Sequence, residues 1–230
     1  MIKQINLAVF IFSVILYCLK PVPGICSDKG LSTDTSAALS SIEKLAAAFD
    51  ASIKGIETIS FSFHQNTYLA GSTHTVKAEV FFKKPDMLKV KYTKPQKQEI
   101  YFFHGKLYTY IPSIKQATVQ ECTDFSSLLG VTVSMLFSPD SFEILKNKFE
   151  LSIADNSAGM ILEAVPHDRK DFNRMVIQFY EITYFPAKTV VTAEHIRSVT
   201  VFDNYVSNPQ FNEDYFNFKP ATDVNVIYID

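Results

Sequence analysis

Tryptophan is absent from this sequence, and glycine is scarce, at seven in 230 residues, about half the usual share of roughly 7%. Phosphate cradles and dinucleotide fingerprints use glycines in clusters. No G-x-G-x-x-G or G-x-x-x-x-G-K-[ST] run occurs, which excludes the nucleotide-binding classes built on those loops. An excess of one charge is also missing. Lys and Arg number 22 against 24 Asp and Glu, for a formal net charge of −2, so the chain lacks the basic footprint that nucleic-acid binding requires. What it has in quantity is 20 Phe and 11 Tyr within a 47% hydrophobic composition, too apolar for a disordered chain.

The long apolar run, Ile5 to Leu19, follows Lys3 and is broken by Lys20, Pro21, Pro23 and Gly24. At about fifteen residues it falls short of the roughly 20 that span a bilayer. It reads as a cleaved secretory signal peptide over residues 1–26, with an uncleaved anchor as the other reading. A lipoprotein signal needs a small residue before the modified cysteine, and Tyr17 and Ile25 precede Cys18 and Cys26. Cleavage after Cys26 leaves a single domain, 27–230, with Cys122 as its one cysteine, so no internal disulfide can form even in an oxidising compartment. Lys3 and Lys20 leave with no acid, making the domain more acidic than the whole chain. Its core must hold it together.

Within that domain, Leu39, Ile42, Ala46, Phe49, Ile53 and Ile56 recur at helical spacing and predict an amphipathic helix over Ser32–Lys54, with Gly55 placed for its C-terminal turn. From Ile56 the period becomes two. Ile59, Phe61 and Phe63 alternate with Ser60, Ser62 and His64. Val76, Ala78, Val80 and Phe82 alternate with Lys77, Glu79, Phe81 and Lys83, and Leu88, Val90 and Tyr92 with Lys89, Lys91 and Thr93. Further strands are predicted at 99–103, 107–111, 117–122, 149–153, 160–165, 172–183, 188–193 and 197–206, with two short extended segments in the tail. Tight breakers between them indicate an antiparallel meander. Short helices are predicted at Asp124–Phe137 and Pro139–Lys148. A sheet this long with one apolar face must curl and be covered by helices. Several strands carry bulky side chains on both faces, Tyr101 and Phe103 against Ile100 and Phe102, and Phe81 beside Phe82.

Signs of catalysis are weak. There is no G-x-S-x-G elbow, and His64, His74, His104, His167 and His195 lack metal-ligand spacing. The run from His167 to Asp171 reads as a solvated loop, and Cys122 as a small hydrophobe. No enzyme, metal or cofactor is expected.

The sequence resembles the periplasmic outer-membrane lipoprotein carrier proteins, the LolA-like family. The likeness rests on Phe61-Ser62-Phe63-His64-Gln65, the run from Val80 through Lys84-Pro85-Asp86 to Val90, Pro95, the strand-turn-strand from Ile100 through His104-Gly105 to Pro112, Asn208-Pro209, the run Tyr215 to Pro220, and Val224 to Ile227. It spans roughly Ser36 to Ile227. The resemblance implies a mainly β, α+β fold: an unclosed antiparallel β-barrel of about eleven strands, covered by about three α-helices and enclosing a hydrophobic cavity. It implies a monomeric periplasmic chaperone that takes lipoprotein acyl chains from an inner-membrane ABC-type transporter to an outer-membrane receptor. The cavity would be lined by Ile59, Phe61, Phe63, Val80, Phe82, Leu88, Val90, Tyr92, Ile100 and Phe102. Leu128, Leu129, Met135, Leu136 and Phe137 would form a lid, with core filling as the plain alternative for each. The family's arginine before the proline of the second-strand turn is here Lys84, either a lid latch weaker than a guanidinium or a turn lysine reaching to water. The alternative from another class is an envelope sensor of lipid or lipoprotein with the same fold. Sensors of that kind usually carry a second domain, for which this chain has no room.

Overall fold

The computed structural model describes residues 35–122, 141–156, 159–168 and 172–229. Twelve strands form one sheet: β1 (Thr58–Leu69), β2 (Ser72–Lys83), β3 (Met87–Lys94), β4 (Gln98–Phe103), β5 (Lys106–Ile111), β6 (Gln116–Glu121), β7 (Phe149–Asn156), β8 (Gly159–Pro166), β9 (Arg174–Phe179), β10 (Pro186–Thr192), β11 (Ile196–Ser207) and β12 (Asn225–Ile229). Their order is β12-β6-β5-β4-β3-β2-β1-β11-β10-β9-β8-β7, so the sheet has two free ends and is unclosed. Two α-helices accompany it among the described residues, α1 (Thr35–Ile53) and α2 (Ser141–Lys148). The expected helix over Asp124–Phe137 lies outside the described residues, as do the signal segment and all five lid candidates.

The first helix falls close to the sequence reading. Ile42, Phe49 and Ile53 are buried, and Gly55 takes a φ of 82° where the helix ends. Leu45, absent from the expected face, is also fully buried, whereas Ala46 is only partly so. A 19-residue helix is about 28 Å long, and the five strand spacings from β1 to β7 come to about 24 Å. That length lets α1, joined directly to β1, reach β7 at the far edge, which it contacts.

Four readings of the strands are corrected. The expected strand 172–183 ends at Phe179, opposite Pro186. The chain then turns, with Tyr180 N–H donating to Phe185 O at 2.9 Å and Tyr184 at a φ of 54°, leaving Ile182 91% exposed. The tail forms one strand rather than two extended segments. That strand, β12, brings the strands among the described residues to twelve where about eleven were expected, and it pairs with β6 in parallel, so the sheet is not wholly antiparallel.

The physical reason is the route taken by the tail. Asn208, at a φ of 56°, turns the chain off β11. Its Oδ1 accepts from Glu57 N–H at 2.8 Å and Thr58 N–H at 3.3 Å, and its Nδ2 donates to Gly55 O at 3.1 Å. These bonds tie the α1–β1 junction to the start of the tail. The tail then crosses the face of the sheet opposite the helices. Phe211 and Tyr215 lie edge-on to Phe81 at 5.8 and 5.3 Å, and Phe218 packs on Tyr101, Tyr108 and Tyr110 at 5.3–5.6 Å. Phe216, against Phe211 and Tyr215, is fully buried. Having crossed the strands, the chain meets β6 from the other side and runs alongside it, a geometry open to a parallel strand only through a long connection.

Candidate functional site

The strand alternation brings the ten expected cavity residues onto one face of β1 to β4. Cross-strand pairing sets them in rows: Ile59–Phe82–Leu88–Phe102, then Phe61–Val80–Val90–Ile100, then Phe63–Ala78–Tyr92–Gln98. All ten are buried apart from Ile100, which is half-buried. β-branched and aromatic side chains on opposed strands give the rows their cohesion. The face continues across β11, where Phe202 lies 6.1 Å from Phe61 and 6.5 Å from Phe63, and Tyr205 stacks on Phe61 at 5.2 Å. Phe185 adds a ring 4.9 Å from Tyr205.

Phe185, Phe202 and Tyr205 were not among the expected site residues. The signal was present in the alternation of β11, but an irregularity opposite Ser60–Ser62 shifts its register. Such a bulge breaks the two-residue period that a sequence reading relies on.

From above, α1 contributes Leu45 and Phe49, and α2 contributes Phe142 and Leu145, all in the same buried cluster. Phe49 meets Phe142 at 5.5 Å and Phe179 at 6.3 Å. At one end, Gln65 donates to Ser198 Oγ at 3.2 Å and Thr67 shares a 2.6 Å hydrogen bond with the same hydroxyl. Polar groups thus border the apolar rows, and among the described residues the one buried charged side chain, Lys89, lies on β3's opposite face. Burial raises the pKa of the Tyr92 phenol, so it stays neutral in this face. What the arrangement offers chemically is apolar area, with the Cys122 thiol packed against it. Among the described residues, no three His, Cys, Asp or Glu side chains converge as a metal site.

Lys84 lies just past the end of β2. Its N–H donates to Glu57 O at 2.9 Å, its peptide to Pro85 is cis, and its side chain is half-buried. Regular strand alternation therefore stops one residue short of it.

The aromatic residues divide between two layers. Phe81, Phe211, Phe216 and Phe218 belong to the face under the tail and do not line the helix-covered face.

An unclosed, strongly aromatic sheet with helices on one face defines a class of binding scaffold, and comparison with known proteins gives the family. The model for "Outer membrane lipoprotein carrier protein LolA" matches residues 54–219. The chain belongs to that family. Among solved structures, it is similar to an uncharacterized conserved protein from Thermus thermophilus, with a TM-score of 0.55 and 11% identity over 82% of this chain and 99% of that one. It is also similar to MucB, with a TM-score of 0.50 and 12% identity over 82% of this chain and 66% of that one. At these identities the likeness shows the fold alone. No curated protein sequence matches the chain.

Proposed function

We propose that this protein is a periplasmic carrier that binds the acyl chains of lipoproteins on the helix-covered face of its sheet and passes them from an inner-membrane transporter to an outer-membrane receptor. The observation that carries this reading is the continuous apolar face of β1 to β4 and β11, in one buried cluster with side chains of α1 and α2. Each buried methylene is worth about 0.8 kcal/mol, so a sixteen-carbon chain disfavours water by roughly 12 kcal/mol. A soluble carrier has to offset most of that by apolar area. Rings on a sheet supply the area without matching one ligand shape. Loading requires α1 and α2 to yield, because their buried side chains already share one cluster with those of the face. Residues 1–26 direct export in this reading, and Leu128, Leu129, Met135, Leu136 and Phe137 serve as lid.

The test is release. Protein incubated with inner membrane bearing lipoprotein and its transporter brings lipoprotein into solution; failure beside a working control carrier overturns the proposal. Mass spectrometry of lipid co-purified from the periplasm separates a carrier from a sensor or an enzyme by what is bound. Lys84 is proposed as the latch of the covering elements. Lys84→Leu is expected to change cargo hand-off while leaving the melting temperature within a degree or two, and unchanged transfer makes it a turn residue only.

A further inference from the structure

On the opposite face, between β3–β5 and the tail, lies a cleft of about 410 Å³. Lys89 of β3 forms part of its wall and is only 9% exposed. Its Nζ lies 4.6 Å from the centroid of the Tyr101 ring and 4.4 Å from that of Tyr215. The two rings attract the cation but offer it no oxygen. Neither acid of the wall bonds to Lys89: Glu99 accepts from the Tyr101 hydroxyl, and Asp214 holds Lys219, also of the wall, at 2.8 Å. Among the described residues, the Lys89 ammonium has no ion pair or hydrogen bond. The same is true of the Tyr110 and Tyr215 hydroxyls and the Asn217 side-chain amide, which share the cleft.

A buried cation beside unsatisfied donors is costly unless an anion or water completes it. Burial first, and then the charge of Lys91, lower the Lys89 pKa, while Glu99 opposes them. An ammonium in that setting gains protonation strength from any anion that reaches it. The donors outnumber the two oxygens of a carboxylate, whereas a phosphate ester presents more oxygens in a tetrahedral array. Phe218 and Val224 add apolar wall for the organic part of such a ligand.

We propose that this outer cleft is a binding site for a phosphate-bearing ligand, its oxygens held by Lys89 Nζ with Tyr110, Tyr215 and Asn217. The site lies across the sheet from the acyl-chain face and stands independently of that reading.

The experiment titrates the isotope-labelled whole protein with glycerol 1-phosphate and, separately, with phosphatidylglycerol vesicles, following the backbone amides of Lys89, Tyr110 and Asn217. Both probes carry the phosphate ester, one free and one as a lipid headgroup. Response to glycerol phosphate places the ligand in solution, and response to vesicles alone places it in a membrane; either supports the site. Lys89→Met is expected to weaken binding at least about tenfold. Tyr110→Phe, which removes one hydroxyl and leaves the ring, is expected to weaken it about two- to fivefold with melting unchanged. No response to either probe, unaltered binding by a folded Lys89→Met protein, or acetate binding as tightly as the phosphate ester overturns the proposal.

Discussion

A single asparagine joins three parts of this fold. Asn208 serves two backbone N–H groups and one carbonyl at the α1–β1 junction while holding a left-handed backbone that asparagine tolerates better than most residues. Asn208→Ala is expected to cost about 2 kcal/mol in urea unfolding, since it strands those groups and strains the turn. Asn208→Asp keeps the accepting oxygen and is expected to lose less; equal losses in the two variants count against the hydrogen bonds. Tyr92 makes a second prediction at this scale. Burial raises its phenol pKa above the usual value near 10. Above that pH the unfolded chain releases a proton that the native protein keeps, so stability is complete below about pH 10 and falls as pH rises, by about 1.4 kcal/mol per unit. Urea midpoints between about pH 8 and pH 11 are expected to show this fall, and Tyr92→Phe to reduce it. An identical pH profile in the variant contradicts the assignment.

Among the elements, the tail and α1 were read from sequence with unequal success. The 3.6-residue spacing of Ile42, Phe49 and Ile53 places α1 and most of its buried face, though not Leu45, because a helix's periodicity is local. The Phe-rich stretch after Pro209 has no such period. Its rings are ordered by Phe81, Tyr101, Tyr108 and Tyr110, which lie more than a hundred residues earlier, so its partners were invisible in the sequence. The outer aromatic residues of β2, β4 and β5 were the available clue, since bulky rings on a sheet's second face need cover. Phe216→Ala is expected to cost about 3–5 kcal/mol, read as a lower urea midpoint and faster proteolysis between Pro209 and Val224. An unchanged midpoint and cleavage rate separate the tail from the core. Phe49→Ala is expected to cost a similar amount by opening the junction of α1, α2 and β9.

For the whole molecule, the consequence is a sheet whose two faces are covered differently, an apolar one by helices and one of mixed lysines and rings by the tail. One is covered by helices, which an apolar ligand could displace as units. The other is partly covered by the chain's own tail, anchored at Asn208 and again where β12 joins β6. A ligand taken up under the helices would therefore leave the outer layer in place. The expected outcome is that acyl-chain loading perturbs the amides of α1 and α2 while those of 211–218 keep their positions in the spectrum. Perturbation of the tail alone contradicts acyl binding on the helix-covered face.

The sequence by itself determined most of the α1 face, the alternation of β1 to β4 and therefore the residues of those four strands that share the apolar face. Those are consequences of periods of 3.6 and two that any few neighbouring residues express. Tertiary structure decided where alternation breaks at the β11 bulge, why β9 stops at Phe179, and which aromatic residues belong to which layer. It also decided that Lys89, one of several lysines alternating along β3, stands between two rings in a cleft. Each of these depends on contacts between distant segments, and local periodicity carries no record of them.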